Sequence, residues 1–149
     1  MNDKVFVDSS ILIAAYDYTA PDRQRLALKL LERLVKANTG AISAQVLAEL
    51  FVAVTEKLSV PLSAVEGCDR IQTYLQVFAV VDVTGPIALE AARGVRVHQL
   101  NFWTSQIWAT ARLNQIRVVL TDTALAGSMI EGIRFINPLT PTFKLETLP

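Results

Sequence analysis

Short runs of β-branched and aromatic residues alternate along this chain with longer stretches in which apolar positions return every three or four residues. Val5-Phe6-Val7 reads as a strand. It ends at Asp8-Ser9-Ser10, residue types that cap helix N-termini, before the apolar stretch Ile11 to Ala15. Leu26, Leu30, Leu31, Leu34 and Val35 then fall on one face of a helix from Arg23 to Ala37, with Asn38-Thr39-Gly40 as its stop.

Ala41-Ile42-Ser43 predicts a brief strand, and Val46, Leu47, Leu50, Phe51, Val54 and Leu58 predict one helix from a Ser43 cap, with Glu49 bordering its apolar stripe. Pro61 opens a helix to about Gln76. Val77 to Val83 is the strongest strand in the middle of the chain, its continuous apolar run implying a sheet covered on both faces. Helices follow from Thr84 to Val97 and from Asn101 to Asn114, then strands at Arg117–Leu120 and Ile133–Ile136. Strands separated by helices predict a three-layer α/β/α sandwich around a mainly parallel sheet with right-handed crossovers. No repeat, linker or low-complexity segment suggests a boundary, so residues 1–149 read as a single domain.

Composition adds exclusions. Hydrophobic residues make up 52% and charged residues 19%, which places the chain with packed globular proteins. Fourteen basic residues balance fourteen acidic ones, so no strong positive field holds a polyanion by charge alone. Met1-Asn2-Asp3-Lys4 begins no targeting segment, and no apolar run approaches the ~20 residues that span a bilayer, so a cytoplasmic location is expected. Cys68 stands alone, which suits a reducing compartment, and is expected as a small buried hydrophobe.

The chemistry concentrates at strand ends. In open parallel sheets ligands collect beyond the carboxyl ends of the strands, where Asp8 and Asp122 both lie. Either alone reads as a turn or capping aspartate; together they point to a hard-cation site. Glu49 is a candidate third carboxylate, with a solvated helix-border glutamate as the competing reading. His98 has no second histidine or cysteine near it and is assigned no chemistry. Ser9 and Ser10 lack a base and a nucleophile elbow, and read as capping or metal-rim hydroxyls. Phe102, Trp103 and Trp108 share one helix and raise base stacking as a role, with core or dimer packing as the favoured one. No phosphate-cradling loop is present.

These segments, in order, resemble PIN-domain proteins of the VapC toxin kind: Val5 to Leu12, Ser43 to Leu50, Leu100 to Ala111, Val119 to Thr123, then Gly127, Ile130 to Arg134 and Asn137-Pro138. The resemblance implies four acidic positions that bind Mg²⁺ or Mn²⁺ for attack of water on an RNA phosphodiester. Asp8 matches the first and Glu49 the second. The third falls on Thr104 and the fourth on Thr123, so two carboxylates are replaced; Asp122, beside the fourth, is the candidate stand-in. A unit charge pair at ~4 Å and an effective dielectric of ~20 interacts by ~4 kcal/mol, so two lost anions weaken a cation site severely.

Two functions follow from the resemblance. One is a Mg²⁺- or Mn²⁺-dependent endoribonuclease of a toxin–antitoxin system, its activity impaired, with Asp8, Glu49 and Asp122 as metal-binding and catalytic residues. The other is a degenerate PIN module that binds RNA or a protein partner without cutting. The resemblance also implies a homodimer and a small antitoxin protein as partner. A third reading, an unrelated doubly wound domain with a phosphate or small-molecule site, lacks the phosphate loop it needs.

Overall fold

The computed structural model describes residues 3–149; Met1 and Asn2, part of the segment read for a leader, lie outside the described residues. Strand β1 (Val5–Val7) is wholly buried, and Asp8 stops it by capping helix α1 (Ser9–Ala14), its carboxylate accepting from the Ser9 amide. Helix α2 (Pro21–Ala37) begins two residues earlier than the apolar pattern predicts, because Pro21 fits the first helical turn, and it ends on left-handed Asn38. Strand β2 (Gly40–Ser43) follows, buried throughout.

The helix predicted from Ser43 to Leu58 is regular only as α3 (Ala44–Val52) and then widens into a π-helical turn (Ala53–Lys57). The Thr55 hydroxyl donates to the Phe51 carbonyl at 2.7 Å and competes for an acceptor of the α-helical ladder, while the Leu58 amide reaches back to Ala53. Helix α4 (Ala64–Val77) starts later than Pro61, at a capping box formed by Ser63 and Glu66. It also continues into what reads as strand: β3 is only Ala79–Val81, an edge strand with β2 as its one neighbour.

Helices α5 (Gly85–His98) and α6 (Phe102–Leu113) are capped by Thr84 and Asn101. Strands β4 (Val118–Leu120), β5 (Met129–Ile130) and β6 (Ile133–Ile136) complete a six-stranded sheet of order β3-β2-β1-β4-β6-β5. It is parallel except for β5, and helices flank it, as the alternating pattern predicts. Strand β5 escapes the pattern because it has two residues. Glu131 and Gly132 turn it onto β6 with φ of 46° and 84°, the double left-handed geometry of a tight hairpin.

Phe6, Ile42, Leu120 and Phe135 from the sheet pack with Ile11, Leu30, Leu34, Leu50 and Trp108 from the helices. Cys68 corrects its expectation: it is exposed. Helix α4 turns Gly67 and Tyr74 inward, and the residue after Gly67, rotated by about 100°, faces solvent. Among the described residues no helix is long and apolar enough to cross a membrane.

Candidate acidic site

Strand order reverses at β1, which pairs with β2 on one side and β4 on the other. The crevice beyond those strand ends is where an open parallel sheet collects ligands. A cleft of about 200 Å³ lies there, lined by Asp8, Ser9, Ser10, Glu49, Trp103, Thr104, Thr121 and Thr123 among others. Asp8 arrives as the cap between β1 and α1, Glu49 from α3, Thr104 from the first turn of α6, and Thr121 directly after β4.

Hydroxyls and amides hold the two carboxylates. Asp8 Oδ1 accepts from the Ser9 amide at 2.7 Å, and Oδ2 from the Thr121 hydroxyl at 2.7 Å and the Ser10 hydroxyl at 3.2 Å. The Ser9 hydroxyl, 3.4 Å from Asp8 Oδ1, makes its short bond to Glu49 Oε2 at 2.7 Å. Glu49 Oε1 accepts from Gln45 Nε2 at 2.5 Å. Gln45 also donates to the Trp103 carbonyl at 3.1 Å and accepts from Gln106 at 2.8 Å, so α3 and α6 are tied together beneath the cleft. Burial pushes the Asp8 carboxyl above its ordinary range; the Thr121 hydroxyl opposes this, and the negative charge of Glu49 adds to it.

The structure therefore brings Asp8, Glu49, Thr104 and Thr123 to one cleft. It places the carboxylate of Asp122 elsewhere. Thr121, buried, and Thr123, exposed, both line the cleft with their hydroxyls 3.0 Å apart, while Asp122 between them forms an ion pair with Arg23 of α2. Only the Asp122 backbone approaches the cleft rim, its amide donating to the Ser10 hydroxyl at 3.3 Å. The sequence reading did not single out Thr121, Gln45 or Arg23. Gln45 was open to detection, since it stands four residues before Glu49 on one helix face. Arg23 was not, because 99 residues separate it from its partner.

Trp108 is fully buried, in agreement with core packing. Trp103, five residues earlier on the same helix, is 61% exposed at the cleft rim, so the packing role does not extend to it. His98 ends α5 and sits 2.6 Å from Glu131, outside the cleft.

An open parallel sheet with an acidic cleft at its switch point defines the class: α/β proteins that gather their chemistry at strand carboxyl ends. The model of the PIN domain matches residues 5–127, and the chain belongs to that family. No curated protein matches it in sequence. Among solved structures, it is similar to a chain of a toxin–antitoxin complex from Klebsiella pneumoniae, with 22% identity over 91% of this chain and 98% of that one and a TM-score of 0.66. VapBC2 from Rickettsia felis, bound to a DNA fragment from its promoter, gives 20% identity over 89% and 97% and a TM-score of 0.64. VapC20 from Mycobacterium tuberculosis, a sarcin–ricin-loop-cleaving toxin, gives 18% identity over 78% and 87% and a TM-score of 0.60. The chain is thus a PIN domain with the fold of VapC toxins.

PIN domains generally use divalent metal ions. Here each of the four carboxylate oxygens of Asp8 and Glu49 already accepts a bond from a protein donor. Among the described residues no group of three or more His, Cys, Asp or Glu side chains is placed to hold a metal ion. Threonine hydroxyls are neutral and replace carboxylates poorly around a hard cation. With two carboxylates and two neutral threonine hydroxyls, Asp8, Glu49, Thr104 and Thr123 form a weaker donor set for a hard cation than four carboxylates would.

Proposed function

We propose that this protein is a VapC-like PIN domain in which RNA cleavage is impaired while binding to RNA and to a small antitoxin protein persists. The observation that carries the reading is that only two carboxylates, Asp8 and Glu49, line the cleft, with Thr104 and Thr123 beside them and Asp122 paired to Arg23. A nuclease of this class needs concentrated negative charge to gather Mg²⁺ or Mn²⁺ and activate water. Two carboxylates supply less of it than four. Asp122 joins them only by leaving Arg23. Loss of cutting with the fold intact leaves the partner surfaces in place, and a homodimer and an antitoxin partner belong to this reading through the VapBC likeness.

The test is cleavage of a mixed RNA by wild type with Mn²⁺, with Mn²⁺ plus chelator, and by the double variant Thr104→Asp, Thr123→Asp. The expected outcome is a wild type slower than the variant by about tenfold or more, equivalent to ~1.4 kcal/mol in the barrier. Wild-type cleavage equal to the variant's, suppressed by chelator and abolished by Asp8→Asn, overturns the impairment. Co-purification with a small partner encoded beside it, together with a dimeric mass by light scattering, checks the partners.

A further inference from the structure

Asp122 stands beside the acidic cleft without entering it. The residues on either side of it, Thr121 and Thr123, both line the cleft. Its amide donates to the Ser10 hydroxyl at 3.3 Å, and that hydroxyl donates to Asp8 Oδ2 at 3.2 Å, so one hydroxyl separates the Asp122 backbone from a cleft carboxylate. The Asp122 side chain is committed elsewhere, to the guanidinium of Arg23 in the first turn of α2. We infer that Arg23 is a latch that withholds Asp122 from the cleft and so sets how tightly the site takes a divalent cation; the inference rests on the proposed reading of that cleft as a metal site short of carboxylates.

Three features carry it. The first is placement. A cation in the first turn works against the helix dipole, so the stability of α2 does not account for Arg23 at this position. The turn is nonetheless firmly held: Pro21 opens it, and Gln24 Nε2 donates to the Ala15 carbonyl at 3.1 Å, which ties it to the end of α1, the helix that Asp8 caps. Arg23 is thus presented from a fixed element, whereas Asp122 lies in the connection after β4, outside any helix or strand. The second is charge. A divalent ion beside Asp8 and Glu49 gains from a third carboxylate and is repelled by a guanidinium, so it competes with Arg23 for Asp122. The third is reversibility. Both side chains of the pair are partly exposed to water, and ion pairs in that setting are weak. Arg23 also keeps a counter-charge when the pair opens: bonds from Thr19 hold the Asp17 carboxyl below its ordinary value, and the Arg23 charge adds to them.

The competing role for the pair is structural, a surface tie between α2 and the connection after β4. A tie affects stability, and its loss alters cation affinity only by removing a positive charge. A latch acts through the freed carboxylate, so its effect on the cation vanishes when Asp122 has no charge to give.

The test is Mn²⁺ binding, read from the electron paramagnetic resonance signal of the free aqueous ion, without RNA. The full chain is titrated as wild type, Arg23→Gln, Arg23→Lys, Asp122→Asn and the double variant Arg23→Gln, Asp122→Asn, with Thr104→Asp, Thr123→Asp as reference and thermal unfolding as the check on each fold. Arg23→Gln is expected to bind Mn²⁺ about fivefold more tightly than wild type, the most that a partly exposed ion pair is usually worth. Arg23→Lys, which keeps a cation for Asp122, should stay near wild type, and the gain should disappear in the Asp122→Asn background. A gain that persists in that background overturns the inference, because the lost positive charge then acts through space and not through Asp122. No gain in Arg23→Gln, with wild type still weaker than Thr104→Asp, Thr123→Asp, overturns the inference and leaves the proposed function standing. Wild-type affinity equal to that of the reference, whether both bind or neither does, overturns the inference together with the reading of a site short of carboxylates.

Discussion

Asp8 performs two tasks that pull against each other. As the cap of α1 it satisfies an orphan amide, and as a cleft carboxylate it stands close to Glu49 with much of its water removed. Burial, helped by the Glu49 charge, raises the Asp8 carboxyl above its ordinary range, so keeping Asp8 ionised costs stability at neutral pH. Asparagine caps a helix as well as aspartate does and carries no charge. Asp8→Asn is therefore expected to stabilise the protein by about 1 kcal/mol, a usual gain for relieving strain at a functional site, measured by thermal unfolding at pH 7. The sign follows from the raised carboxyl. The wild-type penalty is absent below the ordinary value of 3.8, grows as pH rises and then levels off. A destabilised Asp8→Asn would mean that the bonds from Thr121 and Ser10 outweigh desolvation. Arg23 acts at the same scale: its ion pair holds Asp122 away from the cleft, which Thr121 and Thr123 line instead.

Between elements, α5 and α6 cross in close contact at Gly94. A Cβ placed on Gly94 would lie 2.1 Å from the Ser105 hydroxyl and 2.9 Å from the Trp108 ring. Ser105 is committed, donating to the Ala91 carbonyl at 2.7 Å across the same crossing. Gly94→Ala is expected to destabilise by about 1–3 kcal/mol through overpacking. The double variant Gly94→Ala, Ser105→Ala should cost less than the two single changes combined, since removing the hydroxyl relieves the nearest clash. Chemical denaturation of the four proteins measures the coupling, and strict additivity would place the strain on Trp108. Because α6 carries Trp103 and Thr104 into the cleft, this crossing also sets the height of the rim.

Across the whole molecule, one charged network holds the last hairpin to the helical layer. Glu131, at a left-handed φ of 46°, meets His98 at 2.6 Å and Arg93 at 2.8 Å; Arg93 also pairs with Glu90 at 2.6 Å, and Arg112 with Glu90 at 3.1 Å. Arg93 and Arg112 lie over the ring of Trp108, whose Nε1 donates to the Ile130 carbonyl at 3.1 Å. The His98 bond, and then Arg93, hold the Glu131 carboxyl below its ordinary value; Arg93 does the same for Glu90. A lowered acid contributes stability that is complete above the ordinary value of 4.5 and lost as pH falls through the lowered one. Glu131→Gln should therefore melt below wild type at pH 7, with the gap closing as pH drops under 4.5. A gap constant with pH would trace the loss to the turn geometry instead of the charge.

Several features needed only the chain order of residue types. Val5 to Val7, Ala41 to Ser43 and Val118 to Leu120 are short and apolar because the sheet buries them, and the helices between them follow from 3.6-residue periodicity. Asp8 was legible as a cap because a polar triplet breaks an apolar run, and Glu49 because it borders a stripe. Tertiary structure decided what local pattern does not encode. Trp103 and Trp108 look alike in sequence, yet a rotation of about 500° over five residues sends one to the rim and the other into the core. Cys68 lies on the outer face of α4, β3 yields residues to that helix, and β5 exists only because Glu131 and Gly132 fold it onto β6. The cleft depends most on long-range placement. Its hydrogen bonds join Ser9 to Glu49 and Thr121 to Asp8, and Arg23 holds Asp122 away from it, across separations of 40, 113 and 99 residues. Periodicity reports which face of an element is apolar; only packing those faces together determines which polar groups meet at the strand ends.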